Sequence, residues 1–249
     1  MVERLPSPQR APLLSVVVPV RNEAASLLVI LERIAKEPLD KEIVVVDDGS
    51  TDGSRSIAEQ FAASRPYVRV LAHAQGEGKG RALRTGFAAC QGEYVIVQDA
   101  DLEYHPAEYR NLLRVVQAGE AEAAYGSRLK LWEKMSPLQR LGNQALTWTC
   151  NLLYGTRLTD IMTCYKLVPR TLLGRLTLES RRFDIECELT AKILLRGWRI
   201  AEVPIAYSPR TYAEGKKIRW KDGFHGLWTL LKYRFRSSGS RARGAASGL

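Results

Sequence analysis

The 249-residue chain predicts an α/β fold, a mostly parallel Rossmann-like sheet flanked by helices. Three observations predict it. Apolar runs of strand length recur through the first half, and strands apolar at nearly every position are buried on both faces, as in parallel sheets. Segments with helical spacing alternate with them across short connections, the pattern of a doubly wound sheet. Polar residues follow each run, most pointedly in Val95-Ile96-Val97-Gln98-Asp99-Ala100-Asp101. In open α/β sheets, ligands bind outside the carboxyl ends of the strands.

Taken in order, residues 1–12 form a polar, proline-rich arm. Leu14 to Val20 is a buried strand, with Pro19 near its end, where a missing N–H costs least. Asn22 is expected to cap a helix with apolar positions Leu27, Leu28, Ile30, Leu31 and Ile34. Glu42 to Val46 is the second strand and ends in Asp47-Asp48-Gly49-Ser50-Thr51-Asp52. Asp52 is placed to cap the helix from Ser54 to Ala63. Val68 to Ala72 is a third strand, followed by a glycine-rich turn and a helix from Arg81 to Ala89. Glu93 to Gln98 is the fourth strand. His105-Pro106 opens a helix to about Ala118, and Ala121 to Tyr125 reads as a fifth strand.

After Gly126 the alternation stops. Pro137 to Tyr154 has helical spacing, with an apolar face of Leu138, Leu141, Leu146, Trp148, Leu152 and Leu153. Phe183 to Arg196 is a further helix, Arg199 to Tyr207 one or two short strands, and Arg210 to Lys217 a polar loop. Lys221 to Phe235 reads as an amphipathic helix with Phe224, Leu227, Trp228, Leu231 and Phe235 on one stripe. The organisation expected is an arm (1–12), one α/β domain (13–220), an interfacial helix (221–236) and a Ser/Gly/Arg-rich disordered tail (237–249).

Composition bounds the function. Hydrophobic residues make up 45% of the chain, enough for one large core, and the net charge of +10 with pI near 9.6 points to an anionic partner. The four cysteines form no C-x-x-C and lack nearby histidines, which argues against zinc and for buried thiols in a reducing compartment. No apolar run reaches membrane-spanning length, and the N-terminus lacks a signal-peptide core. The protein is therefore expected to be cytoplasmic.

Gly76-Glu77-Gly78-Lys79-Gly80 fails the dinucleotide fingerprint because Arg81 stands where glycine is needed. It fails the P-loop because Gly80 follows Lys79. Neither G-x-S-x-G nor H-E-x-x-H occurs. The turn still opens a helix and offers N–H groups and Lys79 to a phosphate or a base edge. Asp99 and Asp101 share one strand end, and a hard cation such as Mg2+ or Mn2+ would relieve their repulsion. Together with Pro19-Val20-Arg21-Asn22-Glu23 and Asp47-Asp48, these strand ends describe a nucleotide-diphosphate site without a P-loop.

The stretches VVVPVRNEA, VVVDDGSTD, GEGKGRALRTGF and VIVQDADLEYHP resemble the family 2 glycosyltransferases, which have the GT-A fold; the resemblance spans about residues 13 to 220. Tyr125 to Arg128, Asp160 to Lys166, Phe183 to Glu186, Glu202 to Ile205 and Arg210 to Lys216 resemble one branch, the dolichol-phosphate mannose synthases and related polyprenyl-phosphate hexosyltransferases. The resemblance implies that Pro19, Arg21 and Ala100 line the donor site, that Glu23 and Asp48 bind the nucleoside, and that Lys79 lies beside it. It implies that Asp99 and Asp101 reach the donor diphosphate through Mg2+ or Mn2+, with Glu103 completing the metal site. Arg128, Arg140, Arg210 and Lys216 would surround the donor and acceptor phosphates. The chain departs from the branch at Gly215, Cys164 and Lys166, where Ser, Ser and Arg are usual.

The function expected is inverting, metal-dependent transfer of a hexose to a polyprenyl phosphate such as dolichyl or undecaprenyl phosphate. GDP-mannose is the favoured donor and UDP-glucose the alternative. An acceptor phosphate is already ionised near neutral pH, which fits a basic acceptor side without a catalytic histidine. His73, His105 and His225 read as surface or capping residues. A basic helix with aromatics can lie in a bilayer interface, so the enzyme is expected at the cytoplasmic face of a membrane. Competing readings are a hydroxyl acceptor, which would require a general base, and a basic nucleic-acid-binding protein. Acidic strand ends repel nucleic-acid phosphates, so no nucleic acid is expected.

Overall fold

The computed structural model describes residues 11–128, 135–210 and 220–245, with side chains of the last segment described for 222–236. Seven strands form one sheet: β1 (Leu14–Val20), β2 (Lys41–Asp47), β3 (Val68–Ala72), β4 (Tyr94–Val97), β5 (Ala123–Ser127), β6 (Lys166–Pro169) and β7 (Ile200–Pro204). Their spatial order is β3-β2-β1-β4-β6-β5-β7. All pairings are parallel except those of β6, which runs antiparallel between β4 and β5. The expected mostly parallel sheet is present. The strand at 166–169 was not foreseen, because four residues carry too little periodicity to declare a strand.

Helices α1 (Ala24–Lys36), α2 (Ser54–Ala62), α3 (Lys79–Ala89) and α4 (Tyr109–Gln117) alternate with the first strands. β1, β2 and β4 are buried along almost their whole length, as expected for strands covered on both faces. Leu27, Ile30, Leu31 and Ile34 of α1 are fully buried in the same core. Asn22 does not cap α1. Its backbone is left-handed (φ 52°), and its side chain instead accepts from Thr51 N. The loop after β2 does the capping from outside: Ser50 Oγ, Ser54 Oγ and Asp52 Oδ2 accept from the N–H groups of Asn22, Glu23 and Ala24. The acidic loop therefore ties the two strand ends together. The N-cap of α2 is Gly53 and not the Asp52 expected; Asp52 Oδ1 accepts from Ser54 N and Oγ beside it.

The β1–β4 ladder stops at Val17–Val97, while β1 stays paired with β2 as far as Val20–Asp47. Strand order reverses between β1 and β4. Such a switch point leaves a crevice at the carboxyl edge, and the segments 19–23 and 99–103 line one here. Pro19 sits past the last β4 pair, so its missing N–H breaks no bond there.

Helices α5 (Pro137–Tyr154), α6 (Arg170–Leu173), α7 (Ile185–Leu195) and α8 (Trp220–Ala245) complete the fold. A second small core of Leu146, Cys150, Ile161, Cys187, Ala191, Leu230 and Tyr233 joins α5, α7 and α8. Gly226 permits the approach: a Cβ there would lie 3.1 Å from Cys187 Sγ and 3.3 Å from Leu146. Tyr233 OH donates to Glu188 Oε1 at 2.6 Å, and Tyr154 OH to Leu230 O at 2.7 Å. α8 thus packs on the domain by one face and leaves Phe224, Trp228 and Phe235 exposed on another. It also continues to Ala245, past the 221–236 expected and into the segment expected to be disordered. On α5, Leu146 is buried, but Leu138, Leu141, Trp148 and Leu152 are 64–69% exposed. No described helix is long and apolar enough to cross a membrane.

Candidate active site

A cleft of about 870 Å³ opens at the carboxyl edge of β1–β4. Ten of the residues singled out from sequence line it: Pro19, Arg21, Glu23, Asp48, Lys79, Asp99, Ala100, Asp101, Glu103 and Arg210. They come from four strand ends plus the segment after β7, which is why they are distant in sequence and adjacent in space.

Asp48 is 2% exposed and organises the glycine turn. Its two oxygens accept from Glu77 N and Gly78 N, each at 2.8 Å. His73 Nδ1 meets Asp48 Oδ1 at 2.7 Å, and the other ring nitrogen meets Thr85 Oγ1 at 3.0 Å. His73 is therefore a part-buried brace of the cleft wall and not the surface residue expected. His105 does cap, its Nδ1 accepting from Ala107 N. Gly78 has φ +101°, and a Cβ on Gly78 or Gly80 would come within 2.4 Å of Arg181 O or 2.6 Å of Ser180 O. Only glycine lets α3 begin this close to the 180–182 segment.

The floor is acidic. Asp99 and Asp101 follow β4, and Asp101 Oδ1 accepts from Glu103 N at 3.1 Å, closing a tight turn. Leu102 within that turn has a left-handed backbone (φ 65°), a strained conformation for a side-chain-bearing residue and one concentrated at functional sites. Lys79 Nζ lies 2.9 Å from Asp99 Oδ1 and 3.2 Å from Glu186 Oε1. Burial pulls this ammonium's pKa down, but the two carboxylates outweigh it and hold the pKa well above the ordinary lysine value.

Glu103 does not turn toward the Asp pair. Its Oε2 accepts from Tyr207 OH at 2.9 Å and its Oε1 from Arg210 N at 2.7 Å. Arg210 bridges the cleft, donating from Nε to Asp101 O at 2.6 Å and from Nη2 to Glu23 Oε2 at 2.8 Å. Among the described residues, no group of three or more His, Cys, Asp or Glu is placed to hold a metal alone. Two carboxylates fit a different arrangement, in which Mg2+ or Mn2+ takes its other ligands from waters and substrate phosphates.

Two expected phosphate ligands lie elsewhere. Arg128 is 6% exposed and is not in the cleft lining. It pairs bidentately with Asp160, Nε–Oδ2 at 2.6 Å and Nη2–Oδ1 at 2.8 Å, and its guanidinium stands 5.0 Å from the Tyr207 ring. Arg140 is exposed on α5, also outside the lining. Lys216, like Gly215, lies outside the described residues.

Sequence reading missed Arg181 and Arg182, which also line the cleft, and gave no site role to Phe183 beside them. The available signal was an adjacent arginine pair in a short linker before a helix. Arg182 also pairs with Asp222 of α8 at 3.3 Å. The four cysteines are buried and free; burial pushes Cys90 and Cys150 up to about 12, which makes them poor nucleophiles.

A mixed, mostly parallel sheet with an acidic pair and several basic residues in the cleft at its switch point is the arrangement of the GT-A fold. Residues 15–166 match the family described as Glycosyl transferase family 2, and the chain belongs to that family. It is 30% identical over 250 residues to a polyprenol monophosphomannose synthase of Mycolicibacterium smegmatis, covering 92% of this chain and 89% of that protein. It is 32% identical to an undecaprenyl-phosphate mannosyltransferase of Micrococcus luteus, covering 80% and 85%. It is also 32% identical to the low-salt glycan biosynthesis hexosyltransferase Agl6 of Haloferax volcanii, covering 89% of this chain and 54% of Agl6, so it spans about half that protein's length. Among solved structures, glucosyl-3-phosphoglycerate synthase from Mycobacterium tuberculosis, in complex with Mn2+, UDP and glucosyl-3-phosphoglycerate, shares the fold. Its TM-score is 0.68 at 23% identity, covering 89% of this chain and 80% of that one.

Proposed function

We propose that the chain transfers a hexose from a nucleotide sugar to the phosphate of a polyprenyl phosphate, with GDP-mannose the favoured donor and UDP-glucose the alternative. One observation carries the reading: Asp99 and Asp101 share a cleft with Lys79, Arg181, Arg182 and Arg210. Such a site suits a diphosphate and a second phosphate. The names of the Mycolicibacterium and Micrococcus relatives support a lipid phosphate as acceptor.

In this reading, an acceptor phosphate oxygen attacks the anomeric carbon from the face opposite the leaving group. The C–O bond to the diphosphate breaks, the nucleoside diphosphate leaves with the electron pair, and the anomeric centre inverts. No proton need be removed from an ionised phosphate, so no general base is called for. Asp99 and Asp101 would hold Mg2+ or Mn2+, which supplies charge stabilisation at the leaving diphosphate. Lys79 and Arg210 add positive charge beside it, while Asp48 shapes the turn against which the nucleoside would rest. Nucleoside diphosphate release should rise with polyprenyl phosphate as added acceptor and stay at background with 3-phosphoglycerate. Stimulation by 3-phosphoglycerate alone would contradict the lipid acceptor.

We also propose that α5 and α8 seat the enzyme on the membrane that holds the acceptor. Seven large apolar side chains on these packed helices are at least 64% exposed, and Arg140, Arg234 and Arg236 are exposed on the same helices, complementary to anionic head groups. The four buried free thiols fit the reducing, cytoplasmic side. Trp148→Ser with Trp228→Ser should cut co-sedimentation with anionic vesicles roughly tenfold or more, since each Trp carries a large apolar area. Unchanged co-sedimentation would remove these helices from the membrane contact.

A further inference from the structure

Lys79 is held between two carboxylates that have different futures. Its Nζ is 2.9 Å and 3.0 Å from the two oxygens of Asp99. Asp99 is also one of the two carboxylates assigned to the divalent cation above, and this inference rests on that assignment. An ammonium astride both Asp99 oxygens competes with a divalent cation for the same carboxylate, because like charges a few ångströms apart repel strongly. Cation binding at Asp99 therefore favours a shift of Lys79 away from it.

A largely buried lysine, its side chain 14% exposed, is costly to deprive of its counter-charge. Here a second carboxylate already stands beside it. Glu186 is 5% exposed, and its Oε1 is 3.2 Å from Lys79 Nζ. Its other oxygen, Oε2, is 2.5 Å from Lys166 Nζ. Lys166 is 1% exposed and donates also to Ile161 O at 2.9 Å and Thr163 O at 2.5 Å. Glu186 is thus fixed by a buried cation that is itself anchored on two backbone carbonyls. The lysine stem is flexible, so its head can shift toward Glu186 without moving α3.

We propose that Lys79 is a built-in counter-ion that occupies Asp99 in the nucleotide-free protein. Glu186, fixed by Lys166, is the station that receives Lys79 when a divalent cation arrives with the donor diphosphate. Glu186 and Lys166 are positioning residues in this scheme. The cleft then binds bare cation poorly and the cation–diphosphate pair well, because the displaced ammonium remains beside the diphosphate.

The test is Mn2+ binding, read from the EPR signal of free Mn2+, to the folded proteins without nucleotide and with UDP or GDP. Nucleotide-free Lys79→Met should bind Mn2+ at least roughly tenfold tighter than the native protein, a difference well within reach of such titrations. Lys79→Gln gives the same comparison should the Met variant not fold. Glu186→Gln should weaken Mn2+ binding several-fold in the native background and have little effect in the Lys79→Met background, the signature of an effect exerted through Lys79. Unchanged Mn2+ affinity on removing the Lys79 charge would overturn the proposal while leaving the metal assignment intact. An equal effect of Glu186→Gln in both backgrounds would remove Glu186 from the scheme. Failure of every form to bind Mn2+, even with nucleotide, would overturn the metal assignment and this proposal together.

Discussion

Asp101→Asn is expected to lower sugar transfer by at least roughly a hundredfold, the scale of losing one preorganised electrostatic contact at a developing charge. The substitution keeps the shape and can keep the acceptor oxygen that Glu103 N uses at 3.1 Å. The turn after β4 should therefore survive, and thermal melting should confirm it. What is lost is one of two negative charges at the cleft floor. If these charges hold a cation against the leaving diphosphate, excess Mn2+ should restore part of the rate by mass action. Asp99→Asn is the less clean experiment, because it also takes a partner from Lys79. Activity of Asp101→Asn within threefold of native would show that the acidic pair is not part of the chemistry.

Arg128→Leu is expected to destabilise the fold by about 3–5 kcal/mol, the usual result of leaving one partner of a buried ion pair without the other. For a chain of this size that corresponds to a fall in melting temperature of roughly 6–20 °C. Asp160 is fully buried and, among the described residues, would keep the N–H groups of Arg128 and Met162 on its carboxylate. Arg128→Lys should retain only part of the stability, since an ammonium cannot reproduce two parallel N–H bonds. The same variants separate two roles for this residue. The family resemblance gives Arg128 to the phosphates, whereas the geometry gives it to Asp160 and to the tyrosine wall at Tyr104 and Tyr207. A variant that melts like the native protein yet fails to transfer sugar would restore the phosphate role.

These two residues also show what a sequence can and cannot declare. Asp99 and Asp101 were legible because a buried strand announces itself by an unbroken apolar run, and its carboxyl end has a known place in the fold. The same logic located Glu23, Asp48 and Lys79. Arg128 lies just as plainly at the end of a strand, β5, but its partner Asp160 arrives from a loop 32 residues later. No periodicity reports such a pairing. β6 escaped for a related reason: four residues between long-range neighbours form a strand by pairing, not by propensity. Arg181 and Arg182 reach the cleft only because Gly78 and Gly80 admit their backbone, a contact made across about a hundred residues of sequence.

The two outer helices were half legible. Apolar stripes at helical spacing were evident on both, and such stripes usually mark core-facing surfaces. In α8 a separate face, Gly226, Leu230 and Tyr233, takes the core contact, which leaves Phe224, Trp228 and Phe235 outward. Gly226 carried the clue, since a glycine within a helix often marks close packing.

The most direct measurement is product analysis with sugar-labelled GDP-mannose and UDP-glucose, offered separately with polyprenyl phosphate and a divalent cation. One donor should yield an organic-extractable, mild-acid-labile labelled lipid, and EDTA should abolish it. Label that stays wholly in the aqueous phase with both donors, from protein that binds nucleotide and Mn2+, would contradict transfer to a lipid phosphate.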